Sequence, residues 1–445
     1  MSGRLQVATK GVQNKWIDGN PVHSHFLFSL NSHSKFAFDI LENPITEPAY
    51  GKESICMIPL DAGDLITQMT LRYQIFFKDT RFRNYMSRVW AKDNPAIHLI
   101  EHIDLFLGGV HIQRITSDWM NAYNTIQYEK TLRESTQESA AFVRPEFERG
   151  RNFNSETQLP SNYLNLPLYF NDNLKSAILA CKLTKQNCYI KIKFRRLSDV
   201  LQISDTGFMF PNIFYEIHRK YDTNEYPTTE FEKREIIDTY LAKDMIISNA
   251  SILTQYAYLD TNELNYILSR PMKQIITQLQ LKRFDILQGE TKRVSLNFKH
   301  PIKILYFFVG PKNKYEVDAQ YMYNIRFSNA KLLFNNQVVF DDGPEKLIYY
   351  NSKMNTMSGI HLFQEKKEIG SYSFALSPLS YRLSGHVNFS RIIDQKFEMT
   401  LPDTENIVEY ASLNSVILRE INECQVYAVN YNVLHYSGGL VGLRF

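Results

Sequence analysis

Residues His98-Leu99-Ile100-Glu101-His102 spell H-x-x-E-H. On a helix this order puts two imidazoles on one face as zinc ligands, with a carboxylate beside them as base. Asn94-Pro95 can start such a helix, but Asp104 already opens a strand pattern, so barely two turns remain for the motif. A zinc peptidase also needs a third ligand from a second helix, and the sequence downstream is β-patterned. The peptidase built on His98, Glu101 and His102 therefore stands as a remote alternative. His23 and His25 form H-x-H with His33 nearby, yet no acidic or cysteine ligand sits at useful spacing. Asp341-Asp342-Gly343-Pro344 offers oxygen ligands for calcium, and a turn accounts for it better. There is no G-x-S-x-G elbow, no G-x-x-x-x-G-K-[ST] phosphate loop and no G-x-G-x-x-G. The expectation is a chain without catalytic residues, metal ligands or cofactors.

Composition points the same way. Fifty basic residues against 47 acidic ones leave +3, too balanced for a protein whose main work is to wrap phosphate. The densest basic cluster is Lys191, Lys193, Arg195 and Arg196, with three of its charges at alternate positions of a strand pattern, which reads as a solvated face. Direct binding of nucleic acid is therefore not expected. Cys56, Cys181, Cys188 and Cys424 have no C-x-x-C spacing and read as small buried hydrophobes in a reducing compartment. The N-terminus lacks an apolar leader, and no apolar run approaches about 18 residues, so a soluble intracellular product with no transmembrane segment is expected.

The elements that would position any site are strands. With 445 residues, two or three domains are expected, and 29 Phe with 27 Tyr supply apolar area for more than one core. Residues 1–24 read as an arm. Residues 65–78 alternate most cleanly, with Leu65, Thr67, Met69, Leu71, Tyr73, Ile75 and Phe77 on one face. Residues 104–115 read as a hairpin turning at Gly108-Gly109, followed by a short helix from Asp118. Strands are expected at 164–170, 176–183, 188–195 and 251–259. Two polar excursions, 129–162 and 211–247, interrupt this half as exposed insertions, the second ending in a helix announced by Thr229 and Glu232. A turn is expected at DTNEL, residues 260–264.

The second half repeats the plan. Val294, Leu296 and Phe298 alternate, 302–309 is a continuous apolar strand, and 330–340 is a hairpin turning at Asn335-Asn336. Long strand, loop and tight hairpin thus occur twice, which predicts two antiparallel β-sandwiches joined near residues 262–270.

Turn chemistry is densest at residues 371–395. Tyr372, Phe374 and Leu376 alternate as a strand with one buried face, Pro378 stops it, and extended structure resumes at Phe389. Between them Ser384, Gly385, Asn388 and Ser390 offer short side chains for nearby backbone, and Gly385 tolerates positive φ. Arg391 has two readings, a bridge to a carboxylate across a subunit contact or a brace for its own loop.

SFALSP at 373–378 followed by SGHVNFSRI at 384–392 resembles a signature of the major capsid proteins of nucleocytoplasmic large DNA viruses. Asn430, Tyr431, Asn432, Val433 and Leu434, followed by residues 438–443, resemble that family's closing strand, and VATKGVQNKWIDGNP at 7–21 resembles its amino-terminal segment. Leu383 stands where the family usually has proline, and Asn31, Ser32 and His33 replace a basic pair. The helix near residue 236 has no counterpart in the family pattern.

The resemblance implies an all-β fold of two tandem eight-stranded jelly-roll sandwiches with short helices in loops. They would span 25–262 and 263–445, behind the arm at 1–24. It implies a structural protein of the virion capsid, made and assembled in host cytoplasm. Three chains would form a homotrimer, a pseudo-hexagonal capsomer that tiles an icosahedral shell. Its partners would be neighbouring capsomers and minor capsid proteins, with room for an inner membrane beneath the shell. Ser384, Gly385, Asn388, Ser390, Arg391, Asn430, Tyr431 and Asn432 are then structural positions with no ligand role. A minor capsid paralogue and a β-sandwich attachment module are the alternatives.

Overall fold

In the computed structural model the described residues are 33–77, 89–91, 95–127, 162–171, 173–203, 230–312, 327–343, 369–380, 383–402 and 421–445. The chain opens with β1 (Phe36–Pro44), β2 (Glu53–Ile58), β3 (Leu65–Phe77) and the short β4 (Val89–Ala91). A one-turn helix α1 (Pro95–His98) leads into β5 (Ile100–Leu107) and β6 (Val110–Thr116), then α2 (Ser117–Gln127), β7 (Asn162–Asn165), β8 (Cys188–Phe194) and β9 (Leu201–Ile203). Helix α3 (Glu230–Ile236) runs through a π turn into α4 (Ala242–Asp244) and β10 (Met245–Leu259). After α5 (Thr261–Leu268) come β11 (Met272–Ile286), β12 (Thr291–Ser295), β13 (Pro301–Pro311), β14 (Asn329–Phe334) and β15 (Gln337–Asp342). The last are β16 (Gly370–Ser373), β17 (Val387–Asn388), β18 (Gln395–Thr400), β19 (Asn422–Ser437) and β20 (Leu440–Leu443).

Two sheets form before residue 260, in the orders β1-β10-β3-β7 and β2-β8-β5-β6, and two after it, β11-β19-β13-β16 and β12-β18-β14-β15. With the minor β4, β9, β17 and β20 set aside, each half has eight strands among the described residues, and counting them from one gives 1-8-3-6 and 2-7-4-5 both times. That shared order is the jelly roll, present twice. Both expected hairpins form. Gly108 and Gly109 take φ of 59° and 81°, Asn335 and Asn336 take 50° and 64°, the left-handed pair that a two-residue turn requires.

The alternation of residues 65–78 appears as β3, where Met69, Leu71, Tyr73 and Ile75 are buried and Gln68, Thr70, Arg72 and Gln74 are not. β13 is buried on both faces for a topological reason. Its Ile302, Leu305, Phe307 and Val309 enter the core of the second half. Its Ile304, Tyr306 and Phe308 enter a cluster continuous with the core of the first. β19 does the same, sending Cys424, Val426 and Ala428 one way and Tyr427, Val429, Leu434 and Tyr436 the other. The sheet β11-β19-β13-β16 is therefore a party wall between two cores. Burial of each such side chain is worth about 1.5–3 kcal/mol.

Several expected strands are shorter than the alternation suggests, and side-chain amides are the reason. Of residues 164–170 only the start is ladder, because Asn171 takes over as partner of β3. Its Oδ1 accepts from the Met69 N–H at 3.0 Å, and its Nδ2 donates to the Met69 carbonyl at 2.8 Å. Residues 176–183 form 3-10 turns and one isolated bridge, Ile66 to Ile178. Leu296 and Phe298 are buried beyond the end of β12, and the Gln395 amide accepts from the Phe298 N–H at 2.9 Å and donates to its carbonyl at 3.0 Å. A side-chain amide thus keeps the burial pattern while ending the ladder.

Three further expectations are corrected. DTNEL begins the two-turn helix α5, where the Leu264 N–H donates to the Asp260 carbonyl at 2.9 Å. Leu376 is 76 % exposed, because the chain leaves β16 at Ser373, whose hydroxyl bonds both the carbonyl and the N–H of Ala375. Phe389 opens a 3-10 turn, Phe389–Arg391, ahead of β18. Of the excursion at 129–162 all but the buried Asn162, and the segment 211–229, lie outside the described residues. The end of the second excursion is not exposed, since Ile237, Leu241 and Met245 are buried.

Candidate functional site

The corner at 371–395 and the C-terminal strand meet at the start of β13. Asn388 pairs with Pro301, Val387 and Asn430 both pair with Ile302, and Tyr372 pairs with Leu305 further along. Asn388 caps the 3-10 turn, its Oδ1 accepting from the Ser390 N–H at 3.1 Å. The Ser390 hydroxyl accepts from the His300 N–H at 2.8 Å, and the Phe389 N–H donates to the His300 carbonyl at 3.1 Å. Ser384 closes the other side, where its hydroxyl accepts from the Ser377 N–H at 3.0 Å and its carbonyl accepts from the Leu376 N–H at 3.1 Å. Gly385 sits at φ 135°, and a Cβ there would stand 2.7 Å from the Phe374 carbonyl oxygen.

The C-terminal trio lies on β19, the strand beside β13. Asn430 Oδ1 accepts from Gln280 at 3.0 Å, and the Gln280 amide spans to both backbone groups of Lys299. Asn432 donates to Gln278 Oε1 at 2.8 Å and to the carbonyl of Phe445. The Tyr431 ring lies 6.3 Å from His386. Ser384, Asn388 and Ser390 thus hold the corner together and Asn430 reaches Lys299 through Gln280, whereas Asn432 bonds Gln278 and Phe445 and the Tyr431 hydroxyl is buried without a hydrogen-bond partner among the described residues. Arg391 differs, being exposed and without a hydrogen bond or ion pair among the described residues. Around it Ile393 is 96 % exposed and Leu383 58 %, so with Leu376 the corner presents apolar side chains to solvent. A second such surface lies along β1, where Phe36, Phe38 and Ile40 share one exposed face.

Sequence reasoning missed the seam between the halves. The Thr116 and Tyr427 hydroxyls are 2.7 Å apart, Tyr427 donates to Gln425 Oε1 at 3.0 Å, and Gln425 donates to the buried Asp118 at 2.9 Å. Arg283 approaches the Asp118 carboxylate at 3.5 Å. Trp119 stacks obliquely on Tyr306 and Tyr427 beside this chain of bonds. A second cluster lies on β5 and β6. Burial alone would raise the Asp104 pKa, but two bonds from Arg114, at 2.7 and 2.6 Å, and one from His111 at 3.0 Å hold it well below the usual carboxylate range.

The remaining sequence candidates are separated by the fold. His98 ends α1 while Glu101 and His102 lie on β5, so the helix that H-x-x-E-H requires is not formed. His102 instead sits 3.6 Å from Glu101 and 3.8 Å from Asp104. His23 and His25 lie outside the described residues, and His33 bonds the carbonyl of Ser34 at 2.8 Å. Asp341 pairs with Lys331 at 2.7 Å. The basic face of β8 is tied to its own chain: Lys191 pairs with Glu53 at 2.9 Å, Lys193 donates to the Gly51 carbonyl at 2.8 Å, and Arg195 donates to Ser117 at 2.9 Å. All four cysteines are free, and burial pushes Cys56 up to about 11 and Cys188 up to about 12. No helix among the described residues is long and apolar enough to cross a membrane.

A family model described as the major capsid protein N-terminus matches residues 24–260, more than half of the chain, and one described as the large eukaryotic DNA virus major capsid protein matches 263–442. The major capsid protein of Pyramimonas orientalis virus is 23% identical, covering 100% of this chain and 99% of the relative. That of Paramecium bursaria Chlorella virus 1 is 22% identical, with all of both chains covered. Among solved structures, the PBCV-1 virus capsid matches with a TM-score of 0.69 at 18% identity, over 95% of this chain and 100% of the other. The Faustovirus major capsid protein matches at 0.63 and 10% identity, over 96% and 95%. These structural likenesses establish the fold, and the family models carry the assignment: the chain belongs to the double jelly-roll major capsid proteins of large eukaryotic DNA viruses.

Proposed function

We propose that this capsid protein works by trimerising into a pseudo-hexagonal capsomer, copies of which tile an icosahedral shell, and that it catalyses no reaction. The party-wall sheet carries the reading. Two jelly rolls of identical strand order, locked by shared cores, give three chains six matching walls. The arm at 1–24 and the rolls at 25–262 and 263–445 are the units, and Ser384, Gly385, Asn388, Ser390, Asn430, Tyr431 and Asn432 serve as braces. The exposed Leu376, Leu383 and Ile393, with Phe36, Phe38 and Ile40, suit contacts with further copies, because isolated chains rarely leave such residues grouped in water. Arg391 beside them suits a carboxylate of a neighbouring copy. Neighbouring capsomers and minor capsid proteins are the partners, and assembly takes place in host cytoplasm. The basic residues of β8 are spent on their own chain, which supports a shell protein that does not grip nucleic acid.

Light scattering on the purified protein tests this. A mass near three times 52.1 kDa is expected. Ile393→Asp, at the most exposed large apolar side chain among the described residues, is expected to shift the population toward monomer without lowering the unfolding temperature. A wild-type monomer at all concentrations would overturn the trimer.

A further inference from the structure

A cavity of about 70 Å³ lies between the halves, beneath Trp119 and Leu168 on one side and Leu279, Tyr306 and Val429 on the other. One charged side chain lines it, Lys303. The register of β13 against β19 slips between Ile302 and Ile304, so Lys303 is an extra residue in the ladder. Its neighbours enter the two cores and leave Lys303 buried, 8 % exposed, at the wall itself. Among the described residues its ammonium meets no carboxylate and no hydrogen-bond acceptor, only the face of Tyr431 at 5.8 Å.

A buried ammonium without a counter-charge is costly, and an aromatic face offsets only part of that cost. Burial pushes the Lys303 pKa down to about 8, so the group is still largely cationic at neutral pH. Other polar groups at the cavity are partly committed. Gln278 donates to the Ile112 carbonyl and accepts from Asn432, and Gln113 Oε1 accepts from the Tyr169 N–H at 3.0 Å. The Gln113 amide nitrogen and the Thr277 hydroxyl, both at the cavity, have no hydrogen-bond partner among the described residues and can donate. One cation and two donors beside the apolar side chains of Leu279 and Val429 select an anion with an apolar end. The chamber is about half the size of an engineered cavity of 150 Å³ that takes benzene, which limits the occupant to a few heavy atoms.

We propose that the cavity between the jelly rolls is a binding site for a short monocarboxylate of two to four carbons, its carboxylate on Lys303 and its alkyl end against Leu279 and Val429. Occupied, it would wedge the two halves at fixed separation. A strongly hydrated ion such as inorganic phosphate fits the charge and not the walls.

The test is calorimetric titration of the purified full-length protein with propionate, with propanol and inorganic phosphate as controls. Saturable binding of propionate is expected, at least tenfold weaker in Lys303→Met and in Leu279→Trp, which fills the chamber and leaves the charge. Propanol and phosphate are expected not to bind. Absence of saturable propionate binding to the wild type, or equal binding by both variants, would overturn the proposal, as would phosphate competing with propionate at equal affinity.

Discussion

The Thr116 hydroxyl lies 2.7 Å from the Tyr427 hydroxyl, across 311 residues of chain and across the boundary between the two jelly rolls. Tyr427 is buried, and its hydroxyl also serves Gln425, which in turn serves Asp118. Tyr427→Phe keeps the ring and leaves Gln425 Oε1 without its phenol donor, while the Thr116 hydroxyl keeps the Trp119 N–H at 3.3 Å. A loss of about 1–3 kcal/mol is expected, read as a fall in the urea midpoint. Thr116→Val and the double variant should together be less than additive, because they break one shared bond.

Lys303→Met is expected to stabilise the protein at pH 7. The folded pKa is lowered from 10.5 to about 8, so between those values the unfolded chain holds the extra proton and stability rises with pH. The penalty is fully present below about 8 and relieved above 10.5. The shift corresponds to about 3 kcal/mol. Urea midpoints of wild type and variant should converge as the pH is raised through that window, and parallel curves would refute the cause.

Asp104 works in the opposite sense. Its carboxyl, 4 % exposed, is held below the unfolded value of 3.8 by Arg114 and His111, against the opposing effect of burial. That stabilisation is present above pH 3.8 and is lost as pH falls through the lower folded value. Asp104→Asn should cost about 1–3 kcal/mol at pH 7. The lower end applies because the Arg114 side chain is 54 % exposed and screened by water. The difference should shrink in acid, as chemical unfolding at pH 7 and at pH 3 would show.

Gly385→Ala places a Cβ 2.7 Å from the Phe374 carbonyl oxygen, on a backbone at φ 135° that side chains rarely adopt. A loss of about 1–3 kcal/mol is expected from strain. Gly109→Ala, at φ 81° with nothing within 4 Å, is the control for conformation alone and should cost less.

How far the sequence discloses this molecule depends on the distance over which each feature is set. The hairpins at Gly108-Gly109 and Asn335-Asn336 are legible because positive φ is a local demand. β3 and β13 are legible from period and apolar run. Strand ends near Leu166 and Phe298 are not, since an amide from Asn171 or Gln395 replaces the ladder and an amide in sequence gives no sign of which backbone it will serve. Lys303 hides inside an apolar run, where its burial follows from a register slip. Of the corner residues, Asn388 and Ser390 are legible as turn formers, while their hold on His300 depends on which strand lies alongside. The Thr116–Tyr427 seam is invisible because its partners are joined only by the finished topology.

The party wall also has a temporal side. Tyr427, Val429, Leu434 and Tyr436 of β19, with Ile304, Tyr306 and Phe308 of β13, complete a core whose other members lie mostly in the first half of the chain. Synthesis delivers them well after β10, the last strand of the first half, has been made. Until then a nascent chain carries a jelly roll with one apolar flank open to water, the kind of surface that collects unwanted neighbours. Closure of the first core therefore waits for a strand of the second half, and a truncation that removes β19 spoils the half of the protein farthest from it in sequence.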